Sequence, residues 1–263
     1  CPYYTGIGGG AFGLVWMPGW NEPRWLDFRE VAPAAAHNDT FEDLPDMAST
    51  QGKHSVGVPG MLAGLGELHQ QFGRLPWKDL FSPAIAAARA GVAVDSNWYR
   101  ISLSKERILA NFPEAARLFL RDGVSPFPGT PIPLPELADT YEHLAEYGAR
   151  SFYQGPLAER ILGCLDGWIT AEDLAGYRVR WRTPLAMDWR GGRLHTVSSP
   201  SAGGLQLLQI LGLMERRGGP GASLEDNSHW LAEAMRISFR DRTQSAGDPD
   251  FKGPDPNLFL SGD

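Results

Sequence analysis

The run Gly6-Ile7-Gly8-Gly9-Gly10-Ala11-Phe12-Gly13 contains a G-x-G-x-x-G spacing at Gly8, Gly10 and Gly13. In a strand–turn–helix context, that spacing cradles a dinucleotide pyrophosphate, and Asp27 lies at a distance suited to a ribose contact. The chemistry requires a helix after the glycines. The chain continues instead through Ala11-Phe12-Gly13-Leu14-Val15-Trp16-Met17, which is strand-like and ends at Pro18. The run therefore reads as a glycine turn feeding a buried strand, at a place where side chains would obstruct close backbone packing. Arg29, in Leu26-Asp27-Phe28-Arg29-Glu30, closes an aromatic strand. Its guanidinium offers a planar fork that matches a carboxylate. The same residues also allow a surface pairing of Arg29 with Glu30 or Asp27, which is worth little. Spacing alone leaves both readings open.

Other reactive residue types are dispersed. An N-terminal cysteine can act as a nucleophile with its own amine as base, but Cys1 reads as an accidental first position. His37, His54, His69, His143, His195 and His229 show no paired metal-ligand spacing. No G-x-S-x-G elbow is present to begin a Ser/His/Asp site. Ser201-Ala202-Gly203-Gly204, before an apolar helix, could form an anion-binding nest. The simpler reading there is a helix entry capped by serine.

Two strands over 11–17 and 24–29, joined by Pro18, Gly19, Asn21 and Pro23, are expected to present Arg29. Residues 31–58 read as loop. Helices are predicted from Met61 to a stop at Gly73 and over 78–90. Further helices are expected over 95–111 (capped by Asp95 or Ser96), 113–120, 136–147 (closed by Gly148) and 156–165. The proline run 123–135 reads as a rigid extended connection and a candidate seam. Thr170-Ala171-Glu172-Asp173 is close to a capping box. Residues 178–198 look like two strands joined at Gly191-Gly192, with helices after them over 204–215 and 225–244. Helices grouped around a few hairpins imply an α+β, helix-rich chain rather than alternating βαβ units.

Lys and Arg total 24 against 31 Asp and Glu, and this net charge of −7 makes the chain a poor binder of nucleic acid or anionic membrane. At 263 residues and 43% hydrophobic, the chain can bury a real core. No apolar run approaches membrane-spanning length. Cys1 and Cys164 exclude a disulfide-stapled fold. The opening residues read as mid-domain and the end, DPDFKGPDPNLFLSGD, as a loop cut short, so residues 1–263 are read as one partial domain of a longer protein.

GIGGGAFGLV, LDFREVAPAA, SVGVPGMLAGL, FSPAIAAARAGV, WITAEDLAGYRVRWRTPL, SPSAGGLQLLQIL and LAEAMRISFRDRTQSAGDPDF appear in one order along the chain. In that order they resemble the large-subunit portion of the gamma-glutamyltranspeptidase (glutathione hydrolase) family. The resemblance implies an N-terminal-nucleophile hydrolase fold, a four-layer αββα sandwich made as a precursor that cuts itself before a threonine. That threonine begins the small subunit and is the nucleophile; no threonine of this chain matches it, so no catalytic residue is expected here. Arg29 matches the family arginine that holds the α-carboxylate of the γ-glutamyl group. The implied partners are the small subunit and a γ-glutamyl substrate such as glutathione, with no metal or cofactor. Family analogy suggests a periplasmic or secreted location. One departure is Ser198-Ser199-Pro200-Ser201-Ala202-Gly203-Gly204, where the family usually has PPPSSGG. Two rival readings are a related acylase acting on glutaryl-cephalosporin or oxamate-like amides, and a non-catalytic fragment that only binds a partner. Retention of Phe28-Arg29-Glu30 favours the γ-glutamyl substrate, whose α-carboxylate needs a counter-charge.

Overall fold

Pro18 and Gly19 interrupt an apolar, aromatic run, and the chain turns there, with Gly19 in the left-handed region at φ 86°. In the computed structural model, β1 (Ala11–Val15) and β2 (Arg24–Phe28) are neighbours in one sheet. The structure describes residues 6–219, 221, 223–245, 247–251, 255 and 260; Cys1 lies outside them. Two compact units divide the chain, Cys1–Ala11 with Phe28–Val179, and Phe12–Asp27 with Arg180–Asp263. The division does not fall in the proline run 123–135.

The first unit is mostly helical. It contains α1 (Met61–Phe72), α2 (Ser82–Ala90), α3 (Ser96–Ala110), α4 (Pro113–Phe119), α5 (Pro135–Tyr147), α6 (Pro156–Gly163) and α7 (Ala171–Gly176). Apolar residues at helical spacing bury Leu62, Leu144, Leu157 and Leu174 with Phe152 and Tyr153 in one core. Two indoles tie loops to it: Trp77 Nε1 donates to Leu144 O at 2.9 Å and Trp168 Nε1 to Val56 O at 2.8 Å. Asp95 caps α3 by accepting from Trp98 N at 2.7 Å. The proline run is extended as expected, and it also contributes β4 (Pro131–Ile132), paired antiparallel with β3 (Val92–Ala93). Trp98, Ile132 and Leu134 fill a second small core there.

The second unit holds most of the three-stranded sheet and a hairpin. The stretch 178–198 was expected to give two strands and gives three. β5 (Arg180–Arg182) adds to β2 in antiparallel register, pairing Trp25 with Arg182 and Asp27 with Arg180. Pro184 has no N–H to continue a ladder, so the chain leaves that sheet. It re-enters as the hairpin of β6 (Leu185–Trp189) and β7 (Gly192–Thr196). The turn residues are Arg190 and Gly191, both at positive φ, one position earlier than the expected Gly191-Gly192. The first turns of α8 (Ala202–Arg216) pack Leu205 and Leu208 against Leu185. A side chain on Gly204 would collide with Val197 O and Thr196, which explains the glycine at that entry. Ser201 occupies the N-cap position, yet its hydroxyl makes no capping bond, so the plain serine cap is not realised. The long α9 (Leu224–Ser245) is tied to α8 by Gln209 Nε2 donating to Asp241 Oδ2 at 2.7 Å.

Candidate functional site

Arg29 is the first residue beyond β2, and its side chain is 55% exposed. The residue before it is anchored: Phe28 is buried, and its ring occupies the space left by the missing side chain of Gly64 on α1. On one side the glycine run presses against this peptide. A Cβ on Gly10 would lie 2.6 Å from Phe28 O, 2.8 Å from Arg29 Cα and 2.8 Å from Glu30 N. On another side, a Cβ on Gly60 would collide with Phe28 O and the Tyr177 hydroxyl, and one on Gly57 would lie 3.0 Å from Glu30 Cβ. Gly9 O accepts from Gly60 N at 3.0 Å and Met61 N at 2.9 Å, which staples the glycine run to the start of α1. Val31 and Val58 exchange two backbone bonds just downstream. The glycines read as a strand-feeding turn thus serve as the mould for the Phe28-Arg29-Glu30 backbone. β1 begins directly after Gly10 and contains Gly13, and no helix follows the three glycines, which removes the dinucleotide geometry.

Two side chains from α7 and its end hold the same segment. Tyr177, buried at the C-cap of α7, donates its hydroxyl to Arg29 O at 2.7 Å. Asp173 Oδ1 accepts from Ala34 N at 3.0 Å. The sequence expectation at α7 holds: Thr170 accepts from Asp173 N and the Asp173 carboxylate accepts from Thr170 N, a capping box. Burial opposes ionisation of Asp173, but bonds from Thr170 and Ala34 outweigh it and lower its pKa. Tyr153 stacks on Tyr177 with ring centroids 5.8 Å apart and planes at 13°. Its hydroxyl donates to Pro59 O and accepts from Ala63 N. Burial pushes the Tyr153 phenol up to about 12 despite the bond from Ala63. Tyr153 and Tyr177 also line a cleft of about 760 Å³ with Trp77, Lys78, Glu146 and Arg178.

Of the two surface pairings left open for Arg29, the one with Glu30 is present, Nε to Oε2 at 3.5 Å and open to solvent, a geometry worth little. Asp27, the alternative partner, is buried and accepts from Arg182 Nε at 2.9 Å. Arg182 also places a two-pronged fork on Asp250, at 3.0 and 3.1 Å. Burial disfavours the Arg182 charge, but Asp250 and Asp27 outweigh it and raise its pKa; the fork in turn lowers that of Asp250. Sequence reasoning assigned no role to Arg182, Asp250 or Tyr177. The alternation Arg180-Trp181-Arg182 was the available signal, since it places two guanidiniums on one face of a strand.

Three of the candidate histidines pack against indoles. His54, His69 and His195 meet Trp168, Trp77 and Trp16 edge-on. Among the described residues, no group of three or more His, Cys, Asp or Glu could hold a metal ion, and no helix is long and apolar enough to cross a membrane. Cys164 is an exposed free thiol.

Comparison with known proteins places this geometry among relatives. Residues 1–259 match the family model described as Gamma-glutamyltranspeptidase. A glutathione hydrolase proenzyme of Pseudomonas aeruginosa is 37% identical over 270 residues, covering 95% of this chain and 46% of the relative. The chain therefore spans about half the length of the curated relatives it matches. Gamma-glutamyltranspeptidase of Helicobacter pylori superposes with a TM-score of 0.91 at 33% identity, covering 98% of this chain and 77% of that one. A cephalosporin acylase of Bacillus halodurans superposes with a TM-score of 0.86 at 28% identity, covering 97% of this chain and 49% of that one. The helix-rich α+β architecture is thus the fold of these enzymes.

Proposed function

This chain belongs to the gamma-glutamyltranspeptidase family, and on that premise we propose that it forms the carboxylate-gripping half of an amide-cleaving enzyme. That enzyme hydrolyses and transfers the γ-glutamyl group of glutathione and other γ-glutamyl amides. The observation that carries the reading is Arg29, a half-exposed guanidinium on a backbone held from several sides, which the motif resemblance matches to the family's α-carboxylate arginine. The nucleophile comes from a partner segment that begins with threonine. Leu231, Met235 and Phe239, exposed at four-residue spacing on α9, offer an apolar stripe that supports such a partner.

In this reading the substrate docks with its α-carboxylate on Arg29. The threonine oxygen adds to the γ-carbonyl carbon while its proton passes to the threonine's own α-amine. Backbone N–H groups of the partner stabilise the oxyanion. Collapse breaks the C–N bond, the amine leaves with the proton, and a γ-glutamyl ester remains. Water or an acceptor amine then attacks that ester and restores the hydroxyl. The carboxylate carries the same charge throughout, so Arg29 contributes binding and orientation rather than bond-making.

A charge-assisted hydrogen bond is worth about 1.5–3 kcal/mol. Arg29→Ala in the complete enzyme is therefore expected to lower kcat/KM for γ-glutamyl-p-nitroanilide by roughly tenfold to a hundredfold. Unchanged turnover would remove Arg29 from the site. N-terminal sequencing of every polypeptide in the preparation tests the partner, which should begin with threonine.

The likeness to a cephalosporin acylase favours a second reading, an acylase for glutaryl amides. Phe28-Arg29-Glu30 supports a carboxylate-bearing acyl group in either case. A glutaryl group carries an equivalent carboxylate and lacks only the α-ammonium, so Arg29 serves both. Relative kcat/KM for γ-glutamyl and glutaryl p-nitroanilides decides between the two readings.

A further inference from the structure

We infer that Tyr177 is a positioning residue for Arg29, acting through the Arg29 carbonyl rather than through substrate. This rests on the reading of Arg29 as the carboxylate grip. The capping box fixes where α7 begins, and Tyr177 N bonds back to Leu174 O where it ends. This leaves Tyr177 buried, with its ring stacked on Tyr153 and its hydroxyl on Arg29 O at 2.7 Å. Tyr153 is itself pinned through both roles of its hydroxyl, to Pro59 O at 2.9 Å and Ala63 N at 3.1 Å. The stack therefore cannot slide without breaking the entry to α1. Five residues beyond Arg29, the same short helix grips Ala34 N through Asp173. α7 and its end thus clamp the segment at two points, Arg29 and Ala34. The ordinary purpose of a buried tyrosine hydroxyl is to satisfy itself on any nearby carbonyl. Here the carbonyl belongs to the one residue whose side chain must be aimed. Gly60 has no Cβ where one would collide with both that hydroxyl and Phe28 O.

The test uses the complete processed enzyme and γ-glutamyl-p-nitroanilide, with Tyr177→Phe, Arg29→Ala and the double variant. Phenylalanine keeps the ring stack and removes the hydroxyl that donates to Arg29 O. Losing one neutral hydrogen bond behind a binding residue should raise KM about fivefold, with kcat held within about twofold. In the Arg29→Ala background Tyr177→Phe should add nothing, because the side chain it aims is gone. If Arg29→Ala alone leaves KM unchanged, the grip reading fails and this inference falls with it. If Arg29→Ala raises KM but Tyr177→Phe does not, the grip stands and the inference is refuted. An equal loss in both backgrounds, or a loss confined to kcat, assigns Tyr177 a merely structural role and also refutes it. Should Tyr177→Phe fail to fold, a fluorinated tyrosine at 177 keeps shape and donor while making the phenol more acidic. A stronger donor on the Arg29 carbonyl should then shift KM with kcat held, and an unchanged KM would overturn the proposal.

Discussion

Gly10→Ala tests whether the glycine run is a mould for Arg29 or only a flexible turn. The added methyl would stand 2.6 Å from Phe28 O, 2.8 Å from Arg29 Cα and 2.8 Å from Glu30 N. All three neighbours are backbone, so no side chain can swing aside. Ordinary contact requires separations near 3.5 Å, so the two segments must part by roughly 0.7–0.9 Å. The glycine run cannot simply retreat, because Gly9 O accepts two bonds from the start of α1. Nor can the Arg29 peptide retreat freely, because Tyr177 holds its carbonyl. Overpacking of this kind costs about 1–3 kcal/mol. A displacement approaching 1 Å at a binding residue can cost on the order of a hundredfold in rate. Gly8→Ala is the control, since nothing lies within 4 Å of a Cβ there and its φ is not in the left-handed region. That change is expected to be neutral or to stabilise by about 0.5 kcal/mol through the unfolded chain. Urea midpoints at constant m-value report stability, and initial rates on γ-glutamyl-p-nitroanilide report the site. Gly10→Ala should lose both, with kcat/KM falling roughly tenfold or more. If Gly10→Ala and Gly8→Ala behave alike in both assays, the mould argument is wrong.

Thr170→Ala removes the hydroxyl half of the capping box on α7 and should lower the unfolding free energy by about 1 kcal/mol, read from the urea midpoint; a shift within error would mean Asp173 caps the helix unaided. Arg182 holds Asp250 below its ordinary value of 3.8, so this carboxylate contributes stability above that value and loses it as pH falls through the depressed folded value. Between pH 5 and 2 the unmodified protein should therefore lose stability more steeply than Asp250→Asn, by about 1 kcal/mol or less because solvent screens the pair. Parallel midpoint-against-pH curves would show that Asp250 does not couple to folding.

Much of the local structure was legible because it depends on neighbours in sequence. Leucines at helical spacing marked α1, its glycine stop fell at Gly73, and Thr170 with Asp173 announced α7 three residues at a time. Where local signals misled, a specific competitor won. The 178–198 stretch has continuous strand character, and only the missing N–H of Pro184 and the pairing of β5 with β2 divide it. Ser201 has the right residue type for a cap, but the helix entry there is set by Gly204 packing against Val197 O. Asp27 and Glu30 were equivalent neighbours of Arg29 on paper; burial and the reach of Arg182 made Asp27 part of a different charge cluster.

Sequence by itself determined most of the elements and the family, and singled out Arg29 as the guanidinium proposed to grip substrate, since these depend on residue type, short-range spacing and the order of motifs. Tertiary structure alone decided what holds that guanidinium's backbone. Tyr177 meets it across 148 residues and Asp173 meets Ala34 across 139, and no periodicity encodes such meetings. They arise because glycines remove the side chains that would keep the segments apart, and because a short capped helix ends with its tyrosine beneath the Arg29 carbonyl, which a buried donor then satisfies.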